Sequence, residues 1–124
     1  MNKVLVCITP QSNSHRLIDR GHEAAQKTNG ALHILHVEKG NDIFISNDTS
    51  KLLQELFNYG SGLGGIVHGL CGENIVNTIM QFIKDEKITH IVLGESPENV
   101  KPLDIDAILR TEIPHLEIII LRRS

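Results

Sequence analysis

The chain has 124 residues, near the usual size of one domain, and is read as a single domain spanning residues 1–124. With 40% hydrophobic and 22% charged residues it is neither a disordered acidic chain nor a membrane protein, and no apolar stretch approaches the ~18–20 residues a bilayer span needs. Twelve Lys and Arg against 15 Asp and Glu give −3 at pH 7, and with no Trp, 1 Tyr and 3 Phe this excludes nucleic-acid binding through a basic face or aromatic platforms.

In chain order, Met1-Asn2-Lys3-Val4 leads directly into a strand over Lys3–Thr9, with no basic and apolar leader before it. Ser14–Thr28 follows as a helix, with Leu17, Ile18, Gly21, Ala24 and Ala25 on one face and Asn29-Gly30 as its stop signal. Ala31–Glu38 is the second strand. Residues 40–48 form the one long connection, read as a strand-to-helix loop. A second helix over Ser50–Tyr59 gathers Leu52, Leu53, Leu56 and Phe57, with Asp48-Thr49 as its cap. Gly65–Cys71 is the third strand and Glu73–Glu86 the third helix, carrying Ile75, Val76, Ile79, Met80 and Ile83. Thr89–Gly94 is the fourth strand. Pro102-Leu103-Asp104 opens a short helix with Ile105, Ile108 and Leu109, closed by Pro114, and Leu116–Arg122 is the last strand. Short buried strands joined by helices imply parallel pairing with right-handed crossovers, hence an α/β doubly wound sheet of five strands covered by four helices.

Several motifs invite chemistry. Gly60-Ser61-Gly62-Leu63-Gly64-Gly65 matches G-x-G-x-x-G, but a helix precedes it and a strand follows. A dinucleotide site needs the reverse order, so these glycines read as a helix cap and turn. Cys7 and Cys71 lack both a disulfide framework and metal-ligand spacing; each sits in an apolar run and is expected as a small buried hydrophobe in a reducing cytoplasm. Among seven histidines, His33 and His36 point to opposite faces of their strand, and His15 and His22 have no third ligand. All are expected to be surface or partly buried, with no metal. There is no nucleophile elbow, zinc-protease motif or P-loop, and no Asp ends the third strand, so no catalytic residue is named.

Ligands of an open α/β sheet bind beyond the strands' carboxyl ends, where the winding reverses. Two loops frame that crevice if it lies between the first and fourth strands: Thr9-Pro10-Gln11-Ser12-Asn13-Ser14, followed by His15 and Arg16, and Gly94-Glu95-Ser96-Pro97-Glu98-Asn99. The first offers hydroxyls and free helix N–H groups to an anion. Glu38, Glu95 and Glu98 gather near the same place, and unpaired carboxylates there repel a phosphate.

Val4-Leu5-Val6-Cys7-Ile8-Thr9-Pro10, Leu35-His36-Val37-Glu38 and Ile88-Thr89-His90-Ile91-Val92-Leu93-Gly94-Glu95-Ser96, in this order and spacing, resemble the universal stress protein family. The likeness extends to the universal-stress-type domain of KdpD, the potassium-responsive sensor histidine kinase. This resemblance implies strand order 3-2-1-4-5 and a non-catalytic regulatory or sensory domain in signal transduction and stress response. It also implies an adenine-nucleotide crevice near Thr9, Ser12, Ser14, Arg16, Val37, Gly94 and Ser96. The family's ATP binders resemble one another in an Asp after the first strand and a glycine cradle after the fourth. Here Thr9-Pro10-Gln11 stands in the first place, and no glycine follows Gly94. ATP or AMP is therefore expected in a degenerate site. Ser12-Asn13-Ser14 matches a Ser-x-Ser element that some KdpD-type domains use for cyclic-di-AMP. The resemblance also implies a homodimer through the last strand, with Leu116, Ile118, Ile119, Ile120 and Leu121 at the interface, and a signalling-protein partner; a long apolar edge strand is a liability unless paired. The alternatives are a flavodoxin-like electron carrier, a small nucleotide hydrolase, and an interaction module without ligand.

Overall fold

In the computed structural model, which describes residues 2–8, 14–39, 47–94 and 105–121, strands and helices alternate throughout. The strands are β1 (Lys3–Cys7), β2 (Ala31–Lys39), β3 (Ile66–Gly72), β4 (His90–Gly94) and β5 (Glu117–Leu121). The helices are α1 (Ser14–Thr28), α2 (Asn47–Gly62), α3 (Ile75–Glu86) and α4 (Ile105–Glu112). The sheet has the order β3-β2-β1-β4-β5, and every neighbouring pair is parallel.

Alternation along the strands builds two cores, one on each face. Val4, Val6, Ile8, Leu32, Ile34 and Val92 meet Ile18, Ala24, Ala25 and Leu56 of α1 and α2. Leu5, Leu35 and Ile91 meet Ile79, Phe82 and Ile83 of α3 and Leu109 of α4. Val4, Leu5 and Val6 of the central strand are all 0% exposed, as a strand covered on both sides must be. Gly21 lets α1 lie against β1, because a Cβ there collides with the Val6 side chain.

The structure amends the sequence reading at three places. Helix α2 starts at Asn47, so Asp48 and Thr49 fall inside it, and it continues through Gly60 to Gly62. Gly60 is buried where a Cβ would collide with Ile34 Cδ1, so the helix keeps a glycine there despite its helix penalty of roughly 1 kcal/mol. The helix ends where Leu63 and Gly65 both donate to the Gly60 carbonyl and Gly64 takes φ +88°. On α3, Ile75, expected on the apolar stripe, is exposed, and Phe82, which that stripe did not include, is buried. Cys71 is exposed rather than buried. Its run of apolar residues lies on the edge strand β3, where Ile66 and Val67 are also exposed. The apolar run there reflects strand propensity more than two-sided cover.

Candidate functional site

Strand order reverses at β1, which has β2 on one side and β4 on the other. A ligand crevice is expected beyond the carboxyl ends of β1 and β4, where residues 9–13 and 95–104 lie outside the described residues. Thr9, Ser12 and Ser96 lie outside the described residues. Ser14 opens α1 and is 1% exposed, with Arg16 exposed in the same turn. Gly94 ends β4 on the α1 side, where a Cβ would lie an ordinary 3.5 Å from Leu17 Cδ1. Val37 is half-buried against the α3 and α4 core, on the other face. A ligand reaching both Val37 and Gly94 has to lie across the strand ends.

Sequence reasoning missed the polar cluster at the root of this crevice. His36 is buried in the α1 and α2 face, at 5% exposure. Its Nδ1 lies 3.1 Å from the Ile8 carbonyl and its Nε2 lies 2.7 Å from Glu38 Oε2. A carbonyl and an ionised carboxylate only accept hydrogen bonds. The arrangement is therefore satisfied in full by an imidazolium, which has two N–H donors. Glu38 is thus a paired carboxylate and not the free repulsive charge expected from sequence. The signal was present: residues i and i+2 of a strand share a face. Ile8 itself is fixed twice, because its N–H also donates to the Leu35 carbonyl at 2.9 Å.

A second pair lies on the other face of β2. His33 Nδ1 and His68 Nε2 are 3.0 Å apart, and the rings stack at 5.3 Å with Phe82 edge-on to both. Burial pushes both imidazoles below their usual range; His68 and Lys3 add to the effect at His33, and Glu86 opposes it at both rings. At the amino end of the sheet, His90 Nε2 pairs with Glu117 Oε2 at 2.7 Å and its Nδ1 lies 2.8 Å from Thr89 Oγ1. Among the described residues no three His, Cys, Asp or Glu are grouped to hold a metal ion. A cavity of about 250 Å³ lined by His22, Gln26, Leu32, Leu63 and Ile66 opens at the amino end of β2, far from the crevice.

At the far edge of the sheet, Leu116 is buried in the core, Ile118 and Ile119 are half-buried on opposite faces, Ile120 is 42% exposed and Leu121 is half-buried. On its described side β5 pairs only with β4. No described helix is long and apolar enough to cross a membrane.

No known family profile matches the sequence. The chain superposes on a universal stress protein solved in complex with cAMP, with TM-score 0.70 and 16% identity over 99% of this chain and 98% of that one. It superposes equally on a universal stress protein from Archaeoglobus fulgidus, with TM-score 0.73 and 15% identity over 97% and 93% of the two chains. The same organism's protein in complex with dAMP gives TM-score 0.67, at 15% identity over 97% and 96%. The fold is that of the universal stress proteins, as the sequence resemblance implied. In sequence the chain is similar to the putative sensor protein KdpD of Synechocystis, at 33% identity over 94 residues, 76% of this chain. It is also 23% identical over 94 residues, again 76% of this chain, to the KdpD sensor protein of Mycobacterium tuberculosis. The match spans 25% of the first protein and 11% of the second.

Proposed function

We propose that this chain is a non-catalytic, cytoplasmic regulatory domain of the kind KdpD sensors carry, binding an adenine nucleotide beyond the ends of β1 and β4. The observation that carries this reading is the combination of a universal-stress-protein fold, two of whose examples hold cAMP and dAMP, with sequence similarity to KdpD sensors. Thr9, Ser12, Ser14, Arg16, Gly94 and Ser96 contribute from two loops, with Val37 below the strand ends. Ser12-Asn13-Ser14 makes cyclic-di-AMP a candidate beside ATP and AMP. The absence of glycine after Gly94 favours ligands with few phosphates over ATP, because the backbone N–H cradle for a triphosphate requires close approach.

Two chains join through β5, whose outer edge pairs with no other strand among the described residues and whose exposed Ile120 suits strand-to-strand pairing. A nucleotide regulates such a dimer or a signalling partner only by binding two conformations unequally. Calorimetric titration with cAMP, AMP, ATP and cyclic-di-AMP, beside sedimentation, tests the reading. Saturable heat with at least one nucleotide and a dimer at micromolar concentration are expected. No heat and no melting shift with any of them overturns nucleotide binding and leaves an interaction module; a monomer overturns the β5 interface.

A further inference from the structure

We propose that His33 and His68 form a clasp between β2 and the edge strand β3 that survives the uptake of one proton and is released by a second, so that acid opens this edge of the sheet locally. The clasp is built from described residues alone and stands apart from the nucleotide-binding reading.

His33 Nδ1 and His68 Nε2 lie 3.0 Å apart with their ring planes inclined by 21°, so one nitrogen donates and the other accepts. Phe82 of α3 stands edge-on to both rings. Among the described residues this is the one side-chain hydrogen bond that reaches β3. Apart from it, β3 is held by its main-chain ladder to β2 and by the packing of Leu70, while Ile66 and Val67 are exposed.

With both rings neutral, the shared hydrogen sits on one facing nitrogen and the other ring offers its lone pair. The first added proton leaves that bond in place. An imidazolium then donates to a neutral imidazole, and the bond becomes charge-assisted. The second proton puts an N–H on both facing nitrogens. No acceptor is left across the gap, the two cations repel, and His68, the half-exposed ring, turns out to water.

The surrounding groups set the order of the two steps. Burial disfavours the charged form of both rings, and Glu86 of α3 favours a proton on either. A charge on His68 and the ammonium of Lys3 on β1 both oppose a proton on His33. The first proton therefore goes to His68, and the second reaches His33 at distinctly lower pH. Cys7 lies on the same face, but burial pushes its thiol up to about 12 and it stays neutral. Lys84, Asp85 and Lys87 at the end of α3 are exposed, with Asp85 accepting from Gln81. Release is confined to β3, because β1 and β4 keep a strand on either side.

The full chain, labelled with 15N, is titrated by NMR from about pH 8 to 4.5. Two separate steps are expected, His68 before His33. The nitrogen-to-nitrogen coupling across their hydrogen bond is expected to persist through the first step and vanish with the second. Amide hydrogen exchange, corrected for its intrinsic pH dependence, is expected to speed up about fivefold to tenfold at that second step in the β3 amides paired with β2. That is the weight of one hydrogen bond, and β1 and β4 are expected to stay protected. His68→Gln offers His33 a donor or an acceptor in either charge state, so its β3 is expected to stay protected across the range. His68→Leu is expected to exchange faster at every pH. One unresolved step for both rings, a coupling lost with the first proton, or an acid loss of β3 protection that persists in His68→Gln overturns the inference. So does loss of protection in all strands at one pH, which is global unfolding in place of local release. Should His68→Leu fail to fold, the wild-type and His68→Gln profiles decide the matter, and nucleotide titrations bear on neither.

Discussion

His33 and His36 lie three residues apart on β2, and each is 5% exposed, yet their hydrogen-bond partners differ in kind. His36 turns toward the central strand, where the Ile8 carbonyl and Glu38 both accept hydrogen bonds. His33 turns toward the edge strand and meets another imidazole, His68. A single hydrogen bond between two imidazoles needs one donor and one acceptor nitrogen, so that pair is built for neutral rings. Burial alone therefore does not fix a histidine's charge; the partner's donor or acceptor character does. The same strand carries a tie to carbonyl and carboxylate acceptors at the centre of the sheet and an imidazole-to-imidazole tie at its edge.

The contrast between centre and edge should be largest at the two cysteines. Cys7 ends the central strand, where burial pushes its thiol up to about 12. Cys71 is exposed on β3. A thiol reacts as its thiolate, so a disulfide reagent such as DTNB at neutral pH is expected to label Cys71 at least ~100-fold faster. Mass spectrometry of the partly labelled protein reads the order directly. Equal rates would mean that the β1 end opens as readily as the edge, and the rigid root assigned to Ile8 would be lost.

The next effect is on stability. His36→Leu keeps the volume apolar but leaves Glu38 with no imidazolium and the Ile8 carbonyl with no donor. The expected cost is about 3 kcal/mol, toward the low end for a buried ion pair that loses one member, because Glu38 keeps some contact with water. His33→Leu leaves only His68 short of a partner, and that ring is half-exposed and can turn to water. Its cost is expected to be about 1 kcal/mol. Urea unfolding of the two variants measures the difference. Equal losses would mean that packing, not charge pairing, holds His36.

The elements, their order and the strand order were legible because hydrophobic period alternates cleanly between runs such as Val4–Cys7 and stripes such as Ile18, Gly21 and Ala25. Where the reading slipped, a contact distant in sequence decided. Gly60 sits inside a helix where Ile34 fills the space a side chain would take, and Cys71 is exposed because β3 takes the edge. The candidate site was legible only as two loops. His36 was read as a surface or partly buried histidine, and Glu38 as an unpaired carboxylate ending the second strand. Their role depends on register with β1, which brings the Ile8 carbonyl to His36, and no local pattern encodes that.

The smallest effect tests the neutral pair through pH. Burial holds His33 and His68 below their ordinary range, so the unfolded chain, with histidines near about 6.5, binds more protons than the folded one. The stability these rings contribute is then fully present above about pH 6.5 and declines as pH falls toward their lowered folded values. Glu86 works against that loss, since it favours protonation of both rings. His68→Gln keeps a group able to donate to or accept from His33 and removes one of the two titrations, at an expected cost under about 1 kcal/mol at pH 7.5. Its stability is expected to fall less steeply than the wild type's between about pH 7 and 5.5, seen as a smaller drop in urea midpoint. Parallel curves would leave the His33–His68 contact as packing without electrostatic consequence.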